Sequence, residues 1–205
     1  MTQLLRNITG MAVLALFMTM AEGCAATEKY VNVLYQPSVY AGGGAGNLYL
    51  TAAGARSEPG KTVSAKWKIG KVKDNDGNQT GDIVTTVAPV DLVLDAFNRE
   101  LTNAGYKIIR VTALPDDVTK GISVDRTEIK MEDVSSIIKD EGTGRLTVSL
   151  ELWKNGKKFK KLYYESGYSD SAFKGRDLLL QDILQKALQG IMEKAIPEII
   201  KELGK

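Results

Sequence analysis

The chain has 205 residues, 43 % apolar and 25 % charged, an ordinary composition for a globular protein able to bury a core. A net charge of +2 is too small to argue for a nucleic-acid partner, which needs a clustered basic face. With no histidine, the commonest general base and metal ligand is missing, and a single cysteine excludes an internal disulfide and a cysteine-based zinc site.

Residues 1–23 read as an export signal. Arg6 supplies the basic start, and an apolar run from Met11 to Met20 follows. At ten residues that run is too short to span a bilayer as a helix and suits a signal core. Ala21-Glu22-Gly23-Cys24 comes next, and it resembles the lipobox of bacterial lipoproteins. Gly23 and Cys24 fit that pattern; Ala21 is smaller than its usual leucine, and Glu22 departs from it. The reading is that Cys24 is lipidated, with residues 24–29 as a tether and 30–205 as one periplasmic domain. The competing reading is a secretory signal cut near Gly23-Cys24-Ala25, which leaves a soluble product. Each buried methylene contributes about 0.8 kcal/mol, so several acyl chains on Cys24 would hold firmly. By analogy with enterobacterial sorting, the lack of Asp at Ala25 favours the outer membrane.

Along the domain, Tyr30 to Tyr35 predicts a first strand ended by Pro37. The glycines at 42–46 predict a hinge rather than a phosphate loop, because a strand at Leu48–Thr51 follows instead of a helix. Lys66–Val72 and Ile83–Val87 predict a hairpin turning at Asp76-Gly77. The acidic residues of that turn lack the Gly and Glu positions of a calcium loop. Pro89 opens a helix to about Ala104, striped by Val90, Leu94, Phe97 and Leu101. Asp91 and Asp95 are one turn apart but suit a solvated helix start better than a carboxylate pair.

Strands are expected at Tyr106–Val111 and Gly121–Met131, with a break at Gly142-Thr143-Gly144. Arg145–Trp153 and Lys158–Tyr164 predict a hairpin about Asn155-Gly156, with a bulge near Lys160-Lys161 restoring register. Lys154, Lys157, Lys158, Lys160 and Lys161 read as blunting an exposed turn; an anionic-ligand patch is the alternative. Tyr163, Tyr164 and Tyr168 are expected as half-buried strand packing. A wide apolar stripe from Leu179 to Ala195 predicts a long helix, stopped or kinked at Pro197. The whole reads as α+β: a largely antiparallel sheet packed on one face by two helices, in a single compact domain.

The stretch Leu92–Tyr106, the hairpin Leu150–Lys158 and the helix Asp182–Leu188 resemble the YajG family of bacterial outer-membrane lipoproteins. That resemblance implies an address and a fold, and no catalytic motif comes with it. The expectation is a non-enzymatic envelope lipoprotein with no cofactor or metal, no catalytic residue, lipidation at Cys24, and another envelope component as partner. The alternative is an auxiliary subunit of an envelope transport or assembly complex. A hydrolase is disfavoured, since no Gly-x-Ser-x-Gly occurs and no histidine could activate a serine.

Overall fold

Three long strands organise the molecule. They are β6 (Lys120–Ser135), β7 (Lys139–Lys154) and β8 (Lys157–Phe173), joined by two hairpins. The structure is a computed structural model and describes residues 27–53, 66–173 and 178–204. Cys24 and the expected export signal, residues 1–23, lie outside the described residues. Before the long strands come β1 (Thr27–Tyr30), β2 (Asn47–Ala52), β3 (Trp67–Lys73), β4 (Gln79–Thr85), helix α1 (Pro89–Asn103) and β5 (Lys107–Arg110). Helix α2 (Leu179–Leu203) follows them.

The fold is α+β, and its eight strands form one mixed sheet curled into a half-barrel. The expected antiparallel character holds for β3–β4, β6–β7 and β7–β8 but not for β1–β4, β2–β5, β2–β6 and β3–β6, which are parallel. Alternating patterns report which face a residue takes, not which way its neighbour runs, so this correction was beyond pattern reading. Strands β2 and β3 occupy successive stretches of one edge of β6, at Gly121–Val124 and Met131–Val134. The sheet therefore forks on β6, one arm carrying β5 and the other β4 and β1.

Both helices pack on one face of the sheet and against each other. Phe97 and Leu101 of α1 and Ile183, Leu188, Ile191 and Ile199 of α2 are fully buried with Leu146, Leu150 and Ile122 of the sheet. Pro197 does not stop α2, which runs on to Leu203. A proline inside a helix costs about 3 kcal/mol, and each buried aliphatic side chain returns about 1.5–3 kcal/mol. Ile196, Ile199 and Leu203, all buried around the proline, settle that balance toward helix.

Other boundaries also moved. The first strand is Thr27–Tyr30, and residues 31–46 cross the helices without regular structure. Buried Val31 and Tyr35 give that segment the apolar pattern of a strand. The glycines at 42–46 are docked rather than hinge-like: the Gly44 amide donates to the Ala104 carbonyl at 2.9 Å and the Lys107 amide to Gly46 at 3.0 Å. Gly142 and Gly144 lie within β7 instead of breaking it. A Cβ on them would meet Ile183 Cδ1 at 2.4 Å and Cγ2 at 2.7 Å, so they are bare to admit α2.

Candidate functional site

The register of the long strands separates two sets of side chains. Met131, Gly144 and Tyr168 form one cross-strand row, and Ile183 of α2 sits against Gly144. The neighbouring rows, Lys130–Arg145–Gly167 and Glu132–Thr143–Ser169, therefore point away from the helices. A depression of about 880 Å³ lies along these rows, lined also by Lys68, Lys71 and Gln79. Its cations are engaged: Lys68 with Asp82 at 2.6 Å, Lys130 with Glu128 at 2.7 Å, and Arg145 with Glu165 at 3.4 Å. A surface of alternating paired charges suits contact with a macromolecule better than capture of one small anion.

The depression reaches β8 at Gly167, Tyr168 and Ser169, and β8 pairs only with β7, which leaves its other edge unpaired by any described strand. The two halves of that edge differ. From Lys160 to Ser166, α2 covers the inner face: Lys160 bonds Glu198 at 2.8 Å, and Lys194 donates to the Glu165 carbonyl at 2.6 Å. Beyond it, Gly167, Tyr168, Ser169, Asp170 and Ser171 are exposed in succession, on both faces of the strand. Exposed strand edges carry unpaired amides and carbonyls and are templates for another strand. The sequence hides this feature, because the apolar positions of the strand end at Tyr164 and a polar run without alternation looks like a loop.

The remaining sequence candidates resolve as local structure. Of the five hairpin lysines, Lys158 pairs with Glu151, Lys160 with Glu198 and Glu202, and Lys161 with Asp125. The lysine beside Asp125 holds its carboxyl below the usual range, and Asp125 in turn raises Lys161. The bulge sits at Phe159, between the pairs Trp153–Lys158 and Leu152–Lys160, slightly before the expected place. Tyr164 is buried and donates to Glu198 at 2.9 Å, while Tyr163 and Tyr168 are exposed, against the expectation of half-burial for all three. Burial and then the Glu198 carboxylate push the Tyr164 phenol upward. Asp91 faces Arg110 at 3.7 Å and Asp95 faces Arg99 at 2.8 Å, so the two carboxylates do not converge.

The Asp74 carboxylate accepts the amides of Asp76 and Asn78 and the side-chain amide of Asn78, which together keep it below its usual range. It closes its own turn, with Gly77 at φ +83°. Among the described residues no group of three or more Cys, Asp or Glu stands close enough to hold a metal ion. No described helix is long and apolar enough to cross a membrane.

Sequence reasoning also missed Glu100. Fully buried in α1, its carboxylate accepts the Tyr35 hydroxyl at 2.5 Å and the Ser38 amide at 2.8 Å, with the Val39 amide at 3.3 Å. Burial and then this carboxylate drive the Tyr35 phenol far upward. All partners are protein groups holding down the 31–46 segment, so the cluster is a clamp rather than a reaction centre.

No family model matches the chain, and neither does any curated protein. Solved structures do resemble it in part. A DUF330 protein from Xanthomonas campestris aligns over 87% of this chain and 93% of its own, at 12% identity and TM-score 0.45. A neuraminyllactose-binding hemagglutinin homolog from Helicobacter pylori aligns over 82% and 97%, at 9% identity and TM-score 0.42. A minor lipoprotein from Acinetobacter baumannii aligns over 82% and 93%, at 14% identity and TM-score 0.33. Likenesses this distant carry no functional argument, and none of them names the YajG family.

Proposed function

We propose that this chain is a lipid-anchored, non-catalytic envelope protein that holds another envelope protein along the edge of β8 that no described strand pairs. The observation that carries the binding role is the run Gly167–Ser171, exposed on both faces of a 17-residue edge strand beside the outward depression. Its backbone groups offer a partner strand a ladder, and the depression receives that partner's side chains. The first half of the same strand is lysine-rich, which discourages indiscriminate pairing there. Anchoring rests on the lipobox-like Ala21–Cys24, and the outer membrane on Ala25.

Two measurements test this reading. Cross-linking in intact cells followed by purification yields a stoichiometric envelope protein with the wild-type chain. With Ser169→Lys and Ser171→Lys together that partner is lost, while Tm is unchanged because both side chains are exposed. A product of twice the chain's own mass would instead mean that β8 pairs with its own copy, and the partner reading would fall. Should the partner belong to a transport or assembly machine, the chain is an auxiliary subunit of that machine. Separately, a palmitate analogue labels wild-type protein and not Cys24→Ala. An unlabelled, soluble wild type would overturn the anchor.

A further inference from the structure

We propose that the β6–β7 turn is a second membrane contact, dipping Ile137 and Ile138 into the bilayer that carries the anchor. The inference rests on the anchor reading above. The turn is Ser136-Ile137-Ile138-Lys139, closed by the Ser136 amide on the Lys139 carbonyl at 2.9 Å. Turn centres favour Gly, Asn, Asp and Pro, whose backbones or side chains suit a reversal. Two β-branched isoleucines gain nothing there locally, and they are 87% and 68% exposed. Phe173, paired in register with Lys139, is 82% exposed, and Leu178 at the start of α2 is 56% exposed. Four large apolar side chains thus project from one end of the sheet, whereas scattered single exposures would need no explanation.

The occupant follows from where the chain enters. Strand β1 begins at Thr27, which is level with Gly81, then Val72, then Asp133, only three residues from the turn. Lys29 confirms the proximity by an ion pair with buried Asp133 at 2.5 Å. Cys24 lies three residues before Thr27, a reach of about 10 Å when fully extended. Lipid on Cys24 therefore brings this end of the sheet, and not the Asn155-Gly156 end, to the bilayer surface. The charges beside the turn stay hydrated while only its tip inserts: Lys139 and Glu141, 49% and 61% exposed, pair at 2.9 Å, and Asp140 accepts from Ser135 at 2.6 Å. Apolar side chains on an anchored protein settle about 5–10 Å into the headgroup–acyl boundary.

The test uses the full processed protein reconstituted in phosphatidylethanolamine–phosphatidylglycerol vesicles. An environment-sensitive thiol probe is placed at Ile138→Cys and, as a control at the far end, at Lys157→Cys. The expected result is a blue shift and loss of most fluorescence at residue 138 when nitroxide-bearing acyl chains are included, with residue 157 unaffected. Protein without an added cysteine should take no probe, because Cys24 is blocked. If it floats with vesicles but the probe at 138 behaves as at 157, the turn does not touch lipid and this proposal alone fails. If Cys24 takes the probe and the protein does not float, the anchor reading fails and the proposal falls with it.

Discussion

The two hairpin turns of the long strands stand at opposite ends of the half-barrel and are built on opposite principles. At one end Asn155 and Gly156 take φ of 49° and 73°, the left-handed pair a tight hairpin requires. Their amides donate to Thr119 and Val118, and the adjoining lysines are tied to Glu151, Glu198 and Glu202. At the other end two isoleucines occupy a turn they do not favour, and α2's coverage stops at the bare Gly142. One end is chemically optimised for folding; the other departs from local preference where the chain enters from Cys24. Departures of that kind concentrate at sites selected for something other than stability. Substitutions at the closed end should change stability, and substitutions at the open end should change contacts while leaving stability alone.

The largest expected effect is away from both turns, in the buried clamp on the 31–46 segment. Glu100→Ala removes a buried acceptor and orphans the Tyr35 hydroxyl and the Ser38 amide. Unsatisfied buried groups of this kind cost about 2–4 kcal/mol in total. Urea unfolding of the mature protein should show that loss, with protease cleavage appearing within 31–46. A change under about 1 kcal/mol would mean the clamp is dispensable.

Next comes a matched pair at the border of α2. Gly144→Val places branched carbons against Ile183, an overpacking worth about 1–3 kcal/mol. Gly167→Val, one strand over, meets nothing nearer than the Gly144 carbonyl at 3.6 Å and should change stability by less than about 0.5 kcal/mol. Equal losses in thermal unfolding would show that the helix-covered and bare rows are not distinct.

The fold was legible where burial imposes a period. The stripe of α1, the alternation Leu146–Leu152 and the Asn155-Gly156 turn were all readable because each is a local statement about one face or one backbone region. Strand direction was not, since β2 and β3 join β6 through contacts far away in sequence. Gly142 and Gly144 misled because bareness reads as a break until the partner, Ile183, is in place. The edge at Gly167–Ser171 was silent for a related reason: a strand exposed on both faces has no alternation to report. The apolar turn is equally silent in the sequence, because residues 137 and 138 stand out only once the hairpin makes them its tip.

A smaller effect, and a pH-dependent one, belongs to Glu198. Lys160 foremost, and Tyr164 after it, hold this carboxyl below its ordinary 4.5. The unfolded chain therefore binds the proton more readily, so the stabilisation is present above pH about 4.5 and fades as pH falls through the lowered folded value. Glu198→Gln should flatten that acid-side decline and cost only about 0.5–1 kcal/mol at neutral pH, because the ion pair is about a third exposed. An unchanged acid slope in unfolding measured from pH 3 to 7 would show that the carboxylate does not contribute.

The smallest effect on stability is expected from the most telling substitution, which gives the open end the chemistry of the closed one. Ile137→Asn with Ile138→Gly removes two exposed side chains and supplies residues that turns accept readily. Nothing buried is lost, so unfolding free energy should stay within about 0.5 kcal/mol of wild type or rise slightly. The same protein should lose lipid contact at its tip, read by a probe at Phe173→Cys that nitroxide lipids quench in the parent and spare in the variant. Flotation with vesicles should persist, because the proposed anchor at Cys24 is untouched. A destabilisation above about 2 kcal/mol would place the isoleucines among the fold's own packing and erase the contrast between the two turns. Unchanged stability with the lipid contact gone would separate the residues that make this domain fold from those proposed to touch lipid.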